Sequence, residues 1–215
     1  MLRDNTKNER KAVMLTVKEA IKQRRSIRKF KPDPIPEGHI HALLEAARLA
    51  PSGSNAQPWR FKMVKDQKTK VKLAQAAYDQ SFIAEAPVVL VCCADIKGYL
   101  DGTVSGIQDL GRIKAVEDRI VKIILDRVGE MRSVPIEQVV SRIAFNVAIP
   151  IEHIVLRALD FGLGTCWVRL IDEKKIKHLF GWDENIHVIA LLPIGYPDES
   201  PSQRKRLKLE DILIE

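Results

Sequence analysis

The feature that most constrains the fold is a continuous apolar run at residues 87–94, which reads Pro-Val-Val-Leu-Val-Cys-Cys-Ala. A strand with one wet face alternates apolar and polar side chains, whereas an uninterrupted apolar run indicates a strand buried on both faces. A second apolar strand is predicted at residues 187–195, where Gly-Tyr-Pro begins the turn that ends it. With 215 residues, 46% of them hydrophobic, the chain is long enough to form one domain with a real core.

Helical patterns separate these strands. Thr16 and Glu19 have capping-box spacing, so a helix should begin there and end near residue 24 or 25. A second helix is predicted between Pro36 and Pro51, because its apolar residues recur at helical spacing. Three shorter elements are a strand at residues 60–64, a helix at about 69–78 and a helix at 172–180. A buried strand is also predicted to follow Gly164 over residues 165–168.

Two long helical stretches lie in the middle of the chain. Residues 97–135 predict one long surface helix, apolar on one face and charged on the other. It covers the site or a partner subunit, or its charged face is simply solvated. Residues 136–160 are apolar on more than one side, which predicts a homodimer core. Pro150 lies inside this second stretch, so we expect a kink or a break there.

Composition and charge exclude several classes. The formal net charge of +7 favours anionic partners, but the charges are scattered without aromatic–basic interleaving, so we expect no nucleic-acid binding. The three cysteines, Cys92, Cys93 and Cys166, lie in apolar stretches without a C-x-x-C pair. This pattern predicts inert buried thiols, no zinc or other metal site, and a reducing cytoplasm.

The first residues contain no targeting signal. Residues 1–14 are predicted to form a charged arm without the apolar core of a signal peptide. No stretch approaches the roughly 20 uninterrupted apolar residues that a bilayer span needs, so we expect no membrane association.

The first polar segment that carries chemistry is residues 24–30, Arg-Arg-Ser-Ile-Arg-Lys-Phe. In an extended backbone Arg24, Ser26 and Arg28 point to one side, while Arg25 faces the other way. Guanidinium groups and a hydroxyl on one side suit a phosphate. A basic helix end is the alternative, since cations there are favoured by the helix dipole.

The second polar segment is residues 51–59, Pro-Ser-Gly-Ser-Asn-Ala-Gln-Pro-Trp. Asn55 and Gln57 present both donors and acceptors, as the edge of a flavin or another heterocycle requires. A polar loop between a helix and a strand is the alternative. The rigid Gln-Pro-Trp ending favours a site, because loops held on rigid scaffolds often bind ligands.

Taken with three later segments, these motifs resemble the FMN-dependent nitroreductase family. The later segments are Ala-Pro-Val-Val at 86–89, Gly-Leu-Gly-Thr-Cys-Trp at 162–167, and Gly-Tyr-Pro at 195–197 followed by Arg-Lys-Arg at 204–206. The resemblance covers about residues 16–209, with a gap from 97 to about 147. It implies an α+β fold with a mixed sheet flanked by helices, built as an intertwined homodimer. One FMN-binding domain would span residues 15–215, with a helical insert at about 97–147.

The resemblance also assigns the cofactor site residue by residue. Arg28 would reach the pyrimidine edge of the flavin and tune it, while Pro51, Ser52 and Gly53 would come from the partner subunit. Arg204 and Arg206 would hold the phosphate, and the strand after Gly164 would pass the ring through its backbone. The full predicted set is Arg24, Arg25, Ser26, Arg28, Pro51, Ser52, Gly53, Asn55, Gln57, Thr165, Cys166, Trp167, Arg204 and Arg206.

The implied activity is transfer of hydride from NADH or NADPH, through flavin N5, to a nitro compound, a quinone or a similar small-molecule acceptor. Such a site needs no side-chain nucleophile or general base. Three alternatives remain: a flavin carrier or sensor without turnover, atypical flavin chemistry such as dehalogenation or flavin cleavage, and an anion-binding module. His153 touches the site or is a core or interface histidine.

Overall fold

The computed structural model describes residues 14–214, so the predicted charged arm lies almost wholly outside the described part of the chain. Within this range there are eight α-helices and four strands. They are α1 Val17–Gln23, α2 Glu37–Arg48, β1 Trp59–Val64, α3 Gln67–Ala76, α4 Phe82–Glu85, β2 Val88–Asp95, α5 Ile96–Arg112, α6 Asp118–Ser133, α7 Ile136–Ala158, β3 Gly164–Thr165, α8 Glu173–Phe180 and β4 Ile186–Gly195.

The four strands form one sheet in the order β1-β2-β4-β3, and each pair of neighbours is antiparallel. The predicted doubly buried strand is confirmed, because every residue from Val88 to Ala94 in β2 is at most 3% exposed. β3 has two residues, fewer than the predicted strand at 165–168. The pairing of β3 with β4 stops at Cys166, whose backbone N–H donates to the carbonyl of Pro193 at 3.3 Å. Proline has no N–H, so Pro193 cannot donate a second hydrogen bond back to Cys166.

Helices cover both faces of the sheet. On one face, fully buried Leu43 from α2 and Ile151 from α7 belong to the same apolar cluster as Leu90 and Leu192 from the strands. On the other face, Leu73 from α3 and Ile176 from α8 form a second cluster with the remaining strand residues. Burial on both sides explains why β2 cannot alternate polar and apolar residues.

The predicted long helix at residues 97–135 is in fact two helices, α5 and α6. α5 ends in a Schellman motif, in which Lys114 has a positive φ of 57°. The N–H of Lys114 donates to the carbonyl of Gly111 at 3.0 Å, and that of Ala115 donates to Leu110 at 2.9 Å. The apolar periodicity of the sequence continues across this turn, so it predicted one helix. The break between α5 and α6 depends on backbone conformation, which the periodicity does not report.

The second long stretch forms α7, which runs through Pro150 without the break that proline predicted. Pro150 is buried, and packing of the surrounding apolar side chains compensates for the hydrogen bond that its missing N–H would have made. In the described residues, the segment Ile136–Phe161 is the one long and apolar enough to cross a membrane by length and composition. Its buried side chains lie in the core cluster of the domain.

Residues 24–31 extend the sheet at its β3 edge. Ser26 forms a parallel bridge with Thr165, and Phe30 forms an antiparallel bridge with Pro197. The backbone N–H of Ile27 donates to Thr165 at 3.0 Å, and that of Lys31 donates to Tyr196 at 2.9 Å. The four-stranded sheet is antiparallel rather than mixed, and the one parallel pairing in the described residues is this isolated bridge at Ser26. These contacts place the arginine-rich segment beside the C-terminal part of the chain.

Candidate active site

Five arginines from the two ends of the domain line one cavity of about 410 Å³, here called the arginine cavity. Its lining residues are Arg24, Arg25, Ser26, Arg28, Pro201, Ser202, Arg204 and Arg206. Among residues 14–214, no carboxylate lines the cavity, and the side-chain donors that do so are guanidinium and hydroxyl groups. This donor set fits a phosphate, which accepts charge-assisted hydrogen bonds from arginine forks.

The local sequence explains how the first three arginines reach the cavity. The capping box is confirmed, because Thr16 and Glu19 exchange both bonds at the start of α1, and Arg24 then ends that helix in a non-helical conformation. Buried Ile27 and Phe30 anchor the extended segment against the sheet, so Arg28 between them stays exposed.

Arg25 does not face away from Arg24 and Arg28, as simple alternation predicted. It lines the same cavity, because the chain is still leaving α1 at this point and strand alternation begins only after it. Its guanidinium Nη1 donates to the carbonyls of Lys22 at 2.7 Å and Arg24 at 2.9 Å. The charge of Arg25 therefore adds to the positive potential of the cavity.

The backbone at Arg28 is fixed by Glu199. The carboxylate Oε1 accepts the backbone N–H of Arg28 and, at 3.2 Å, that of Lys29. The N–H of Asp198 in turn donates to the carbonyl of Lys29 at 2.9 Å. These bonds join the two arginine-bearing segments, which are far apart in the sequence but adjacent in the fold. The Glu199 carboxylate therefore accepts hydrogen bonds from the backbone and does not line the arginine cavity.

The strand after Gly164 lies next to the arginine cavity. Thr165 lines a smaller cavity of about 170 Å³, whose wall also includes Arg24, Arg25 and Pro201. Cys166 is only 1% exposed, and the half-buried Trp167 turns its indole N–H toward the Glu152 carboxylate at 3.3 Å. Of the three predicted residues here, Thr165 therefore lines the smaller cavity, whereas Cys166 is buried and Trp167 is half-buried, and neither lines this cavity or the arginine cavity.

The charges of nearby arginines act on the buried thiol of Cys166. Burial raises the pKa of its thiol, whereas the positive charges of Arg28 and Arg24 act in the opposite direction. The pKa of Cys93 is raised to about 12, mainly by burial. All three cysteines are free and buried, which confirms the prediction of buried thiols.

The second predicted segment, residues 51–57, forms a loop with an unusual backbone. Ser54, Asn55 and Gln57 have φ values of 50°, 53° and 46°. Two side-chain bonds hold it: the Gln57 N–H donates to Ser52 Oγ at 3.0 Å, and the Gln57 amide Nε2 donates to Asn55 Oδ1 at 3.1 Å. Left-handed backbone in non-glycine residues is strained and persists only where the surroundings enforce it.

Two glycines of α5, which sequence reasoning missed, enforce this conformation. A Cβ at Gly106 would lie 1.6 Å from the carbonyl oxygen of Ser54, and one at Gly102 would lie 2.5 Å from that of Ala56. Only glycine permits such close approach of a helix to a backbone. From α7, Asn146 Oδ1 accepts the N–H of Gly53 at 2.8 Å. The available signal was the spacing of two glycines by four residues on one helix face.

The loop borders a second cavity, of about 360 Å³, here called the insert cavity. The loop contributes Gly53 and Ser54, and the helices contribute Tyr99, Thr103, Ile124, Arg127, Val128, Met131, Ser141, Arg142 and Phe145. The structure therefore brings together the predicted N-terminal and C-terminal arginines, but places the 51–57 loop at a different cavity within one chain.

Other candidate groups have structural roles. His153 Nδ1 lies 3.1 Å from the carbonyl oxygen of Ala46, so this half-buried histidine joins α7 to α2. Across residues 14–214, the structure contains no group of three His, Cys, Asp or Glu side chains that could hold a metal ion.

Comparisons with known proteins agree with this fold. The family model described as "Nitroreductase family" matches residues 21–196. An NADH dehydrogenase of Thermus thermophilus is 32% identical over 205 residues, covering 94% of this chain and 96% of the relative. An FMN reductase [NAD(P)H] of Bacillus subtilis is 25% identical over 201 residues, covering 93% and 73%. A protein of Exiguobacterium sibiricum, solved in complex with FMN, is 23% identical and has a TM-score of 0.76, covering 94% and 98%.

Proposed function

The chain belongs to the nitroreductase family, and from this premise we propose that it is an FMN-dependent NAD(P)H oxidoreductase. The observation that carries the proposal is the arginine cavity, where five guanidinium groups from the two ends of the domain converge. The printed names of the relatives, an NADH dehydrogenase and an FMN reductase, support the same activity.

The residues present fit FMN by the chemistry of their donors. Arg204 and Arg206, with Ser202 beside them, would hold the phosphate, since the cavity offers positive charge without a competing carboxylate on its wall. Arg28 is exposed at the cavity and near Thr165, so it would serve the ring end of the cofactor. Cation placement of this kind stabilises negative charge on a bound ligand without any proton transfer.

When bound, FMN supplies the hydride chemistry, accepting from a nicotinamide and donating to a second substrate. The side chains would bind and orient the cofactor and tune its electronic properties, and none is needed as a nucleophile. For a quinone acceptor the balance is NAD(P)H + H⁺ + quinone → NAD(P)⁺ + hydroquinone. For a nitro compound the first two electrons give the nitroso compound and one water. Both acceptor types, and similar ones, belong to the proposal.

We also propose that the protein works as a homodimer. Exposed apolar side chains on two helices support this: Ile21 on α1 is 60% exposed, and Phe145 and Ile149 on α7 are 77% and 37% exposed. The 51–57 loop lines a cavity separate from the arginine cavity, as expected if Pro51, Ser52 and Gly53 serve the partner subunit's cofactor. Sedimentation or light scattering of the purified protein tests this. The cytoplasmic location stays a prediction.

The deciding experiment is the visible absorption spectrum of the purified protein, recorded before and after anaerobic addition of NADH and, separately, NADPH. We expect flavin bands that bleach with at least one nicotinamide and recover when menadione or a nitroaromatic compound is added. Bands that never bleach would replace the oxidoreductase with a flavin carrier or an atypical flavin enzyme. A protein that binds no FMN when it is supplied would remove the cofactor assignment.

A further inference from the structure

We infer that the insert cavity binds the electron acceptor and selects flat aromatic or quinoid acceptors that carry an anionic group, such as a carboxylate. The inference rests on the proposed function and names the substrate class for it. Three separate observations carry it: the place of the cavity, its charge and its apolar wall.

The cavity lies against the loop that the family resemblance assigns to the flavin. Gly53 and Ser54 form part of its wall, and the same Gly53 is held to α7 through Asn146. The other walls come from α5, α6 and the first half of α7, which form the predicted helical insert. A ligand in this cavity would touch both the 51–57 loop and the helices of the predicted insert.

The charge of the cavity is positive and unopposed. Arg127 on α6 and Arg142 on α7 both line it, and no Asp or Glu does. Within residues 14–214, neither guanidinium makes an ion pair or a side-chain hydrogen bond. By contrast, Arg132 on the same helix as Arg127 is paired with Asp101 at 2.6 Å. Two unpaired arginines from different helices can bind one carboxylate from two sides.

The remaining wall suits an aromatic ring. Ile124, Val128 and Met131 of α6 present apolar groups to the cavity, and the ring of Phe145 faces it from α7 while remaining 77% exposed. A volume of about 360 Å³ accommodates a small substituted aromatic molecule. An apolar wall with two convergent cations favours a ring bearing an acidic substituent over a neutral ring of equal size.

The test compares two nitroaromatic acceptors of nearly equal shape, 4-nitrobenzoate and 4-nitrobenzamide, with the FMN-loaded protein at low ionic strength. We expect kcat/KM to favour the acid. In the double variant Arg127→Gln/Arg142→Gln, the ratio of kcat/KM for the acid to that for the amide should fall about tenfold, because a charge-assisted contact is lost. Using a ratio cancels any general effect on turnover or on cofactor content.

A matched control and a second readout separate this inference from the proposed function. Arg119→Gln, an exposed change on α6 outside the cavity, should leave the ratio unchanged. Calorimetric titration with benzoate, without nicotinamide, should show binding that weakens in the double variant and in each single variant. If the protein reduces neither nitro compound, the proposed function is wrong. The benzoate titration would still show whether the insert cavity binds an anionic aromatic molecule. An unchanged ratio together with unchanged benzoate affinity would overturn the inference.

Discussion

The arginine cavity and the insert cavity are built in opposite ways. The first is made of charged side chains on extended, exposed segments, and its backbone is ordinary. The second is bordered by a loop with left-handed residues, pressed against two glycines of a helix. The first is therefore defined by charge and the second by shape. A charge-defined site should lose affinity gradually when residues are changed, whereas a shape-defined site should fail when a single methyl group is added.

The largest expected effect comes from adding that methyl group. Gly106→Ala would place a Cβ 1.6 Å from the Ser54 carbonyl, so the loop or the helix must move. We expect the free energy of unfolding to fall by about 3 kcal/mol, with loss of FMN affinity in the protein that remains folded. Urea unfolding and an FMN fluorescence titration measure the two quantities.

The matched control is Gly129→Ala, at an open position of α6 where nothing lies within 4 Å of the added Cβ. This change should stabilise the protein by about 0.5–1 kcal/mol, since alanine is the better helix former. Equal unfolding midpoints for the two variants would show that the contact with Ser54 does not constrain the loop, and the contrast between the cavities would disappear.

An intermediate effect is expected from Arg206→Ala in the arginine cavity. Removing one of five cations should weaken FMN binding by about five- to tenfold and leave the unfolding free energy within about 0.5 kcal/mol. Lys208→Ala is the control, because this exposed residue of the same segment pairs with Glu210 and lies outside the cavity wall. FMN affinity that is equal in the two variants would remove Arg206 from the phosphate site.

The smallest effect concerns how far the field of the arginine cavity reaches. The charge of Arg28 opposes the burial that raises the pKa of Cys166. In Arg28→Gln the pKa should rise further, so the pH–rate profile for iodoacetamide labelling of Cys166 should move to higher pH. Arg127→Gln, which belongs to the other cavity, should leave it in place. Site-resolved mass spectrometry measures the rates, and the same shift in both variants would argue against a local field.

The difference between the cavities also explains what could be predicted from the sequence. The doubly buried β2 and the capping box at Thr16 were predictable, because side-chain type and spacing determine them. The convergence of the N-terminal and C-terminal arginines on one cavity was expected only through the family resemblance. The end of α5 at Lys114 and the uninterrupted course of α7 through Pro150 were not, since both depend on backbone conformation and tertiary packing. The contact of Gly106 with Ser54 was also not predictable, because a glycine in a sequence does not identify the backbone that packs against it.

The contact between Arg28 and Glu199 bears on how the protein is made. The backbone N–H of Arg28 is held by the carboxylate of Glu199, 171 positions later in the chain. At ordinary rates of translation, roughly 10 to 30 s separate the synthesis of these two residues. During that interval the N-terminal arginines exist on the ribosome without the segment that completes their site. Capture of the proposed cofactor would therefore be a late event, after the segment that contains Glu199 has been synthesised and joined to the segment that contains Arg28.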